Sequence, residues 1–178
     1  MQSYWFLSQY AYNNAHKVSR DLLKGVFEQT EKKLMETITV AREIKVRASY
    51  IFSASLFLLS VCLACFIIQN LHDSQNDFLQ LVLLFSSLVL LFTTVLSAIA
   101  IAPPKIYGTG SEPRHTLNRN VVDAESQMTT FLLNECNDYQ FRIDHNKKIN
   151  DRNIFFVSMA QYLLLIIPLS MVVSWFLY

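Results

Sequence analysis

Glycine and proline are scarce in this chain of 178 residues, which contains three glycines and four prolines. Three glycines cannot build the loops that cradle phosphate groups, and neither a P-loop nor a dinucleotide-binding glycine pattern occurs. Three of the prolines and two of the glycines fall between residues 103 and 113, and this cluster predicts a loop. The rest of the chain is expected to be helical.

The chain also lacks any arrangement of side chains suited to catalysis or metal binding. The chain has four histidines: His16, His72, His115 and His145. None has a carboxylate or cysteine neighbour at the spacing typical of metal ligands. Cys62 and Cys65 form a C-x-x-C pair inside an apolar stretch, where they are expected to behave as small apolar residues. Cys136 is expected to be a reduced, half-buried thiol. The sequence therefore predicts no catalytic, cofactor or metal site, and no enzyme activity.

Charge is absent from three long apolar stretches, at residues 48–71, 78–104 and 153–178. Each exceeds the roughly 20 residues that cross about 30 Å of hydrocarbon as a helix. Soluble helices carry a polar face, and a soluble protein of this size has no core that would hide three such helices. The sequence therefore predicts a membrane protein with three transmembrane helices.

Basic residues are confined to two parts of the sequence. Of the 15 lysines and arginines, eight precede the first apolar stretch and seven lie between the second and third. Because basic residues near the ends of spans stay on the cytoplasmic side, residues 1–48 and 105–152 are predicted to be cytoplasmic. The turn at 70–77 and the end of the third span are then outside. Residues 1–12 do not resemble a secretory signal. We expect a multi-pass protein of the inner (plasma) membrane with its N-terminus in the cytoplasm.

Two polar segments show an apolar stripe at a spacing close to 3.5 residues, which is typical of helices that pack on each other. The stripe in residues 19–48 contains Leu23, Phe27, Thr30, Leu34, Ile38, Ala41 and Ala48. The stripe in residues 121–150 contains Val121, Met128, Leu132, Tyr139 and Ile143. Both helices are expected to run uninterrupted into membrane spans and to form a stalk through Leu34, Ile38, Leu132 and Tyr139.

The predicted fold is thus an all-α membrane protein, with three transmembrane helices and a cytosolic stalk of two long amphipathic helices. Its predicted segments follow in chain order: a cytosolic helical segment at 1–48, a transmembrane hairpin at 49–104, a Pro/Gly loop at 105–120, a cytosolic helix at 121–152 and a third transmembrane helix at 153–178.

The predicted spans carry hydroxyl groups, which favour contacts between helices in lipid. The first span contains Ser53, Ser55 and Ser60, and the second contains Ser86, Ser87, Thr93, Thr94 and Ser97. These residues would pack the hairpin against itself or, alternatively, pack one subunit against another.

The third span is the candidate pore-lining or gating helix. Its candidate residues are Asn153, Ser158, Gln161 and Pro168. Because an amide facing lipid is unfavourable, Gln161 is expected either to bond a neighbouring helix or to line a water-filled path. Pro168 removes an amide donor from the helix, which favours a kink.

Short motifs between residues 40 and 178 carry a family resemblance. Glu43-Ile44-Lys45 precedes the first span, Ala102-Pro103-Pro104-Lys105 ends the second, and Tyr139, Asn146 and Lys147 lie on the helix before the third. In this arrangement the chain resembles the Pycsar transmembrane effectors of bacterial antiphage defence and the related SLATT-type proteins. It has no β-rich nucleotide-binding domain, so any small nucleotide signal would have to bind the helical stalk.

Arg152-Asn153 is similar to the start of the Arg-Asn…His signature of HEPN ribonucleases, but no histidine follows it. Such a degenerate motif also suits the HEPN-like accessory membrane protein of type VI-B CRISPR systems, a second resemblance. Alternatively, Lys147, Lys148 and Arg152 simply anchor the helix at anionic head groups.

Both resemblances imply a defence effector that forms a homo-oligomer in the lipid membrane and permeabilises or depolarises it when triggered, including as an accessory enhancer of an RNA-targeting CRISPR effector. The expected partners are lipid, further copies of the chain, and a cytosolic defence effector or a small nucleotide signal. Direct binding to nucleic acid is not expected. The alternative is a non-conducting membrane scaffold that recruits a cytosolic nuclease or receptor. A transporter is less favoured, because three spans give no inverted repeat.

Overall fold

A computed structural model of the chain describes residues 19–71, 77–102, 105–109 and 127–177, with the side chains of the last helix described to Leu169 and at Val172. Three helices account for nearly all of these residues: α1 (Arg20–Leu71), α2 (Asp77–Ile101) and α3 (Gln127–Leu177). No strand occurs within these ranges. The all-helical prediction is confirmed. Residues 72–76 of the turn predicted at 70–77, most of the Pro/Gly loop and Val121 lie outside the described residues.

Local sequence signals explain where the helices begin and end. The Ser19 hydroxyl accepts a hydrogen bond from the Leu22 amide at 3.2 Å, which caps the start of α1. Asp21 adds a negative charge to the first turn, where the helix dipole favours it. α2 ends before Pro103 and Pro104, which lack the amide hydrogen that would extend it.

Helices α1 and α3 are unusually long, at 52 and 51 residues. In each, a charged segment continues into an apolar segment with no break, as predicted. α1 contains no proline, and α3 remains helical through its single proline, Pro168. Each of the three helices includes a segment that is long and apolar enough to cross a membrane.

The chain divides into two compact units, which are described separately. The polar unit takes in the residues up to Val40 and those from Lys105 to Ile149. The apolar unit takes in Ala41–Pro104 and Asn150–Tyr178. In the polar unit α1 packs on α3, and in the apolar unit all three helices pack together.

In the polar unit, a core of buried side chains from the two predicted stripes joins α1 to α3. Leu34, Tyr139 and Ile143 are buried together, with Phe27 and Ile38 packed against them. The Phe27 and Tyr139 rings stack at 5.5 Å between centroids. Since residues further along α1 meet residues further along α3, the two helices run parallel here. The two helices pack on each other through these residues, and the cytosolic stalk itself stays a prediction.

Burial also tests the individual positions of the two predicted stripes. Leu23 and Leu132 are buried at 4% and 8% exposure, as predicted. Met128 is 47% exposed, so the stripe is not buried at this position.

The apolar unit has a close-packed interior. One alanine from each helix, Ala48, Ala100 and Ala160, is completely buried in a single cluster with Ile44, Ile51 and Val157. A second cluster joins Cys62, Val89, Leu90 and Ile167. Small side chains allow the helix backbones to approach closely, which is how helices associate in lipid. At these levels the space between the three helices is filled by side chains.

The outer surface of the apolar unit is formed by large apolar side chains. Phe57, Leu81 and Leu165 are 68%, 66% and 61% exposed. An exterior of this kind, on helices long enough to span a membrane, suits hydrocarbon rather than water as the surrounding solvent. The membrane-protein prediction is therefore supported by length, composition and surface together.

Candidate functional site

The hydroxyl groups of the apolar unit mostly bond within one chain. The Thr94 and Ser55 oxygens lie 3.0 Å apart and link α2 to α1. The Thr93 and Ser97 hydroxyls donate to the carbonyls of Val89 and Thr93, one turn earlier in their own helix, at 2.9 and 2.8 Å. At the Ser55–Thr94 contact, the structure favours packing of the hairpin against itself over packing between subunits.

Some buried polar atoms of the apolar unit have no hydrogen-bond partner among the described residues; Oγ of Ser86, Oγ of Ser87 and Oδ1 of Asn153 are examples. Buried polar groups are normally satisfied, so each is a position where water or another chain would be accommodated. The sequence shows all three residues as polar positions in the predicted spans. It does not show which polar groups bond their own helix, as the hydroxyls of Thr93 and Ser97 do, and which have no partner.

The predicted pore-lining residues of α3 divide between two parallel stripes. The inner stripe faces the bundle and consists of Asn153, Val157, Ala160, Leu164 and Ile167, which are buried or half-buried. The outer stripe is shifted by one residue and consists of Ile154, Ser158, Gln161, Leu165, Pro168 and Val172; Ser158 is half-buried and the other five are exposed. Asn153 is therefore buried whereas Gln161 is exposed, although the eight-residue step between them turns the helix by only about 80° beyond whole turns.

Gln161 is the most unusual residue of the outer stripe. Its side chain is exposed, and it lies eight residues after Asn153, where the charge-free stretch begins. At 1.5 Å per residue it is about 12 Å along the helix axis from that boundary. In the single chain, a long amide side chain therefore projects from an otherwise apolar surface. Whether Gln161 faces protein, as in a bond to a neighbouring helix, or a water-filled path stays a prediction.

The polar unit contains a second candidate site, centred on the completely buried side chain of Asn146. Its Oδ1 accepts the Tyr107 amide at 3.0 Å, and its Nδ2 donates to the Tyr107 carbonyl at 3.0 Å. The same Nδ2 lies 3.3 Å from the Thr37 hydroxyl of α1. Residues 105–109, which we call the strap, are thereby joined to α3 and α1 through one amide side chain.

Further contacts hold the strap against α3. The Arg142 guanidinium donates to the Gly108 carbonyl at 2.9 Å and forms an ion pair with Asp138 at 2.7 Å. The Tyr107 ring meets the His145 ring edge-on at 4.8 Å between centroids. The Lys105 ammonium nitrogen lies over the Tyr107 ring, 5.5 Å from its centre. These contacts make the strap an ordered part of the polar unit.

In the sequence, Asn146 stands out only as part of a family resemblance, which does not indicate its structural role. A signal was present, because Asn146 follows Tyr139 and Ile143 at stripe spacing. A polar residue at such a position is known to fix the register of packed helices. Its partner Tyr107 lies in an irregular segment, for which residue periodicity makes no prediction.

The remaining predicted residues form no catalytic arrangement in the described part of the chain. Arg152 is exposed whereas Asn153 is buried, so the two residues of the HEPN-like remnant point to different environments. No group of three or more metal-ligating side chains occurs among the described residues. Cys136 is half-buried, and burial, reinforced by Glu135 and opposed by a hydrogen bond with Thr30, raises the pKa of its thiol. A raised pKa makes a thiol less nucleophilic at neutral pH.

Comparison with known proteins does not assign a family or a function to the chain. No protein-family model, curated protein or solved structure matches the chain.

Proposed function

We propose that this protein is an antiviral-defence effector of the bacterial inner membrane, which assembles into a homo-oligomeric pore and permeabilises or depolarises the membrane when triggered. The defence role rests on the resemblances of the sequence to small membrane effectors. The cytoplasmic placement of the polar unit rests on the distribution of lysine and arginine. The pore rests on the geometry of the apolar unit.

The observation that carries the proposal is the position of Gln161. The interior of the apolar unit is filled at Ala48, Ala100 and Ala160, each with no exposed surface, so a conducting path does not fit between the helices at that level. Gln161 instead lies on the outside of α3. An amide in this position favours an assembly of several copies of the chain, in which Gln161 either lines a water-filled path or forms hydrogen bonds with another copy.

The polar unit would receive the trigger. Within this unit, Asn146 ties the strap to α1 and α3. A cytosolic defence effector or a small nucleotide signal that disturbed this contact would release the strap from both helices.

Release of a trapped dye tests the proposed pore. The purified protein is reconstituted into liposomes that contain a small fluorescent dye, with Gln161→Leu and Gln140→Leu as variants. Gln140 is exposed on α3 within the polar unit, so it carries the same substitution outside the predicted span. We expect dye release with the wild type and with Gln140→Leu, and reduced release with Gln161→Leu.

A wild-type protein that assembles without releasing dye or ions would contradict the pore. The alternative function, a non-conducting scaffold that recruits a cytosolic nuclease or receptor, would then be favoured. Release that is the same in both glutamine variants would retain the pore but remove Gln161 from it, and the buried serines of α2 would become the next residues to substitute.

A further inference from the structure

The outer stripe of α3 has the spacing of a helix-packing surface. Its members are separated alternately by four and three residues: Ile154, Ser158, Gln161, Leu165, Pro168 and Val172. This is the same alternation as in the inner stripe, which packs inside the apolar unit. Repeats of this kind keep one face of a helix turned towards a partner helix along its whole length. Within the described part of one chain, the inner stripe has such a partner and the outer stripe does not.

Lipid does not explain the composition of this stripe. Moving an amide from water into a medium without hydrogen-bonding groups is strongly unfavourable, because its donors and acceptor are left unpaired. Gln161 is exposed about 12 Å beyond the start of the charge-free stretch, at 1.5 Å per residue, and Ser158 precedes it by one turn. A neighbouring exposed stripe gives the comparison: Phe155, Met159, Tyr162, Ile166 and Leu169. That stripe has no amide and suits contact with lipid.

We propose that the outer stripe is the interface between subunits, and that its occupant is the outer stripe of a second copy of this chain. This inference rests on the proposed oligomer and specifies the surface that forms it. A glutamine amide contains both donors and an acceptor, so it is complementary to another glutamine. Two α3 helices that meet through this stripe would pair the two Gln161 amides, which a lipid chain cannot do.

Cysteine cross-linking in native membranes tests this surface. The background carries Cys62→Ala, Cys65→Ala and Cys136→Ala, and a single cysteine is then placed at Leu165 or at Ile166. These neighbours are both large and apolar, with exposures of 61% and 41%, but Leu165 belongs to the outer stripe and Ile166 to the lipid-facing one. A disulfide requires Cα atoms within about 4.4–6.8 Å. We expect oxidation to yield covalent dimers several-fold more with Leu165→Cys than with Ile166→Cys.

Substitution of Gln161 supplies a second readout, the strength of association in nanodiscs measured by native mass spectrometry. Gln161→Leu should weaken association about threefold to twentyfold, which is the range for hydrogen bonds between membrane helices. Gln161→Asn keeps the amide and should restore part of the loss. Gln140→Leu should leave association unchanged.

The outcomes separate this interface from the pore. Efficient cross-linking at Ile166 but not at Leu165 would overturn the interface and leave an oligomer that forms through another face. A monomer under all conditions would overturn the interface and the oligomer together. Cross-linking at Leu165 in a protein that releases no dye would support the interface and contradict the proposed pore.

Discussion

Replacing Asn146 with alanine tests the connection between the strap and the helices of the polar unit. The change removes two hydrogen bonds to the Tyr107 backbone, each 3.0 Å long, and a longer contact of 3.3 Å with Thr37. A hydrogen bond contributes about 0.5–1.5 kcal/mol net, so the two short bonds together contribute about 1–3 kcal/mol. Thr37 retains its bond to the Leu34 carbonyl at 2.8 Å, so little is lost there. We expect a free energy of unfolding lower by about 1–3 kcal/mol.

Two assays measure this effect in detergent: thermal unfolding and the rate of tryptic cleavage after Lys105. The first reports global stability, and the second reports how often the strap leaves α3. Asn137→Ala is the matched control, because Asn137 is an exposed asparagine on the same helix. We expect Asn146→Ala to lower the unfolding temperature and to accelerate cleavage relative to Asn137→Ala. Equal behaviour of the two variants would refute the reasoning.

Three further predictions concern the packing, the thiol and the topology. Leu34→Ala should lower the free energy of unfolding by about 2–5 kcal/mol, as usual for a core leucine. Met35→Ala should lower it little, since Leu34 is 0% exposed and Met35 is 53% exposed. Equal losses in chemical unfolding would argue against packing of α1 on α3 through Leu34. Because burial raises the pKa of the Cys136 thiol, alkylation of this thiol at pH 7.5 should be slower in the folded than in the denatured protein. The rate should rise as the pH approaches that pKa. Equal alkylation rates in the folded and denatured protein would count against the raised pKa. Cys136 should react with impermeant reagents only from the cytoplasm, and a tag after Tyr178 only from outside; a cytoplasmic tag would overturn the three-span topology.

The helices and their buried stripe were predictable from the sequence because both depend on repeated local signals. Leu23, Leu34, Ala41 and Ala48 recur close to every 3.5 residues, and each is buried in the structure. Met128 fits the same pattern but is exposed, because periodicity does not report how far along a helix its packing partner extends. A stripe thus predicts which face of a helix is buried, but not whether a partner extends to its end.

The candidate sites were only partly predictable, because they depend on contacts distant in sequence. Asn146 and Tyr107 are 39 residues apart, and no local pattern links a helical amide to the backbone of an irregular strap. On α3, Asn153 and Gln161 were both candidate pore-lining residues, and the sequence did not indicate that one is buried and the other exposed. The structure separates them because the buried stripe passes through Asn153, Val157 and Ala160 and leaves Gln161 one position outside it. A shift of one residue turns a helical side chain by about 100°.

Recording ionic current across a planar lipid bilayer tests the central claim, that copies of this chain form a pore, most directly. We predict discrete current steps when the purified wild-type protein is added, and the same steps with Gln140→Leu. Gln161→Leu should give smaller or rarer steps, because it removes the only amide on the outer stripe of α3. A bilayer that remains silent at protein densities where covalent dimers form through Leu165→Cys would contradict the claim.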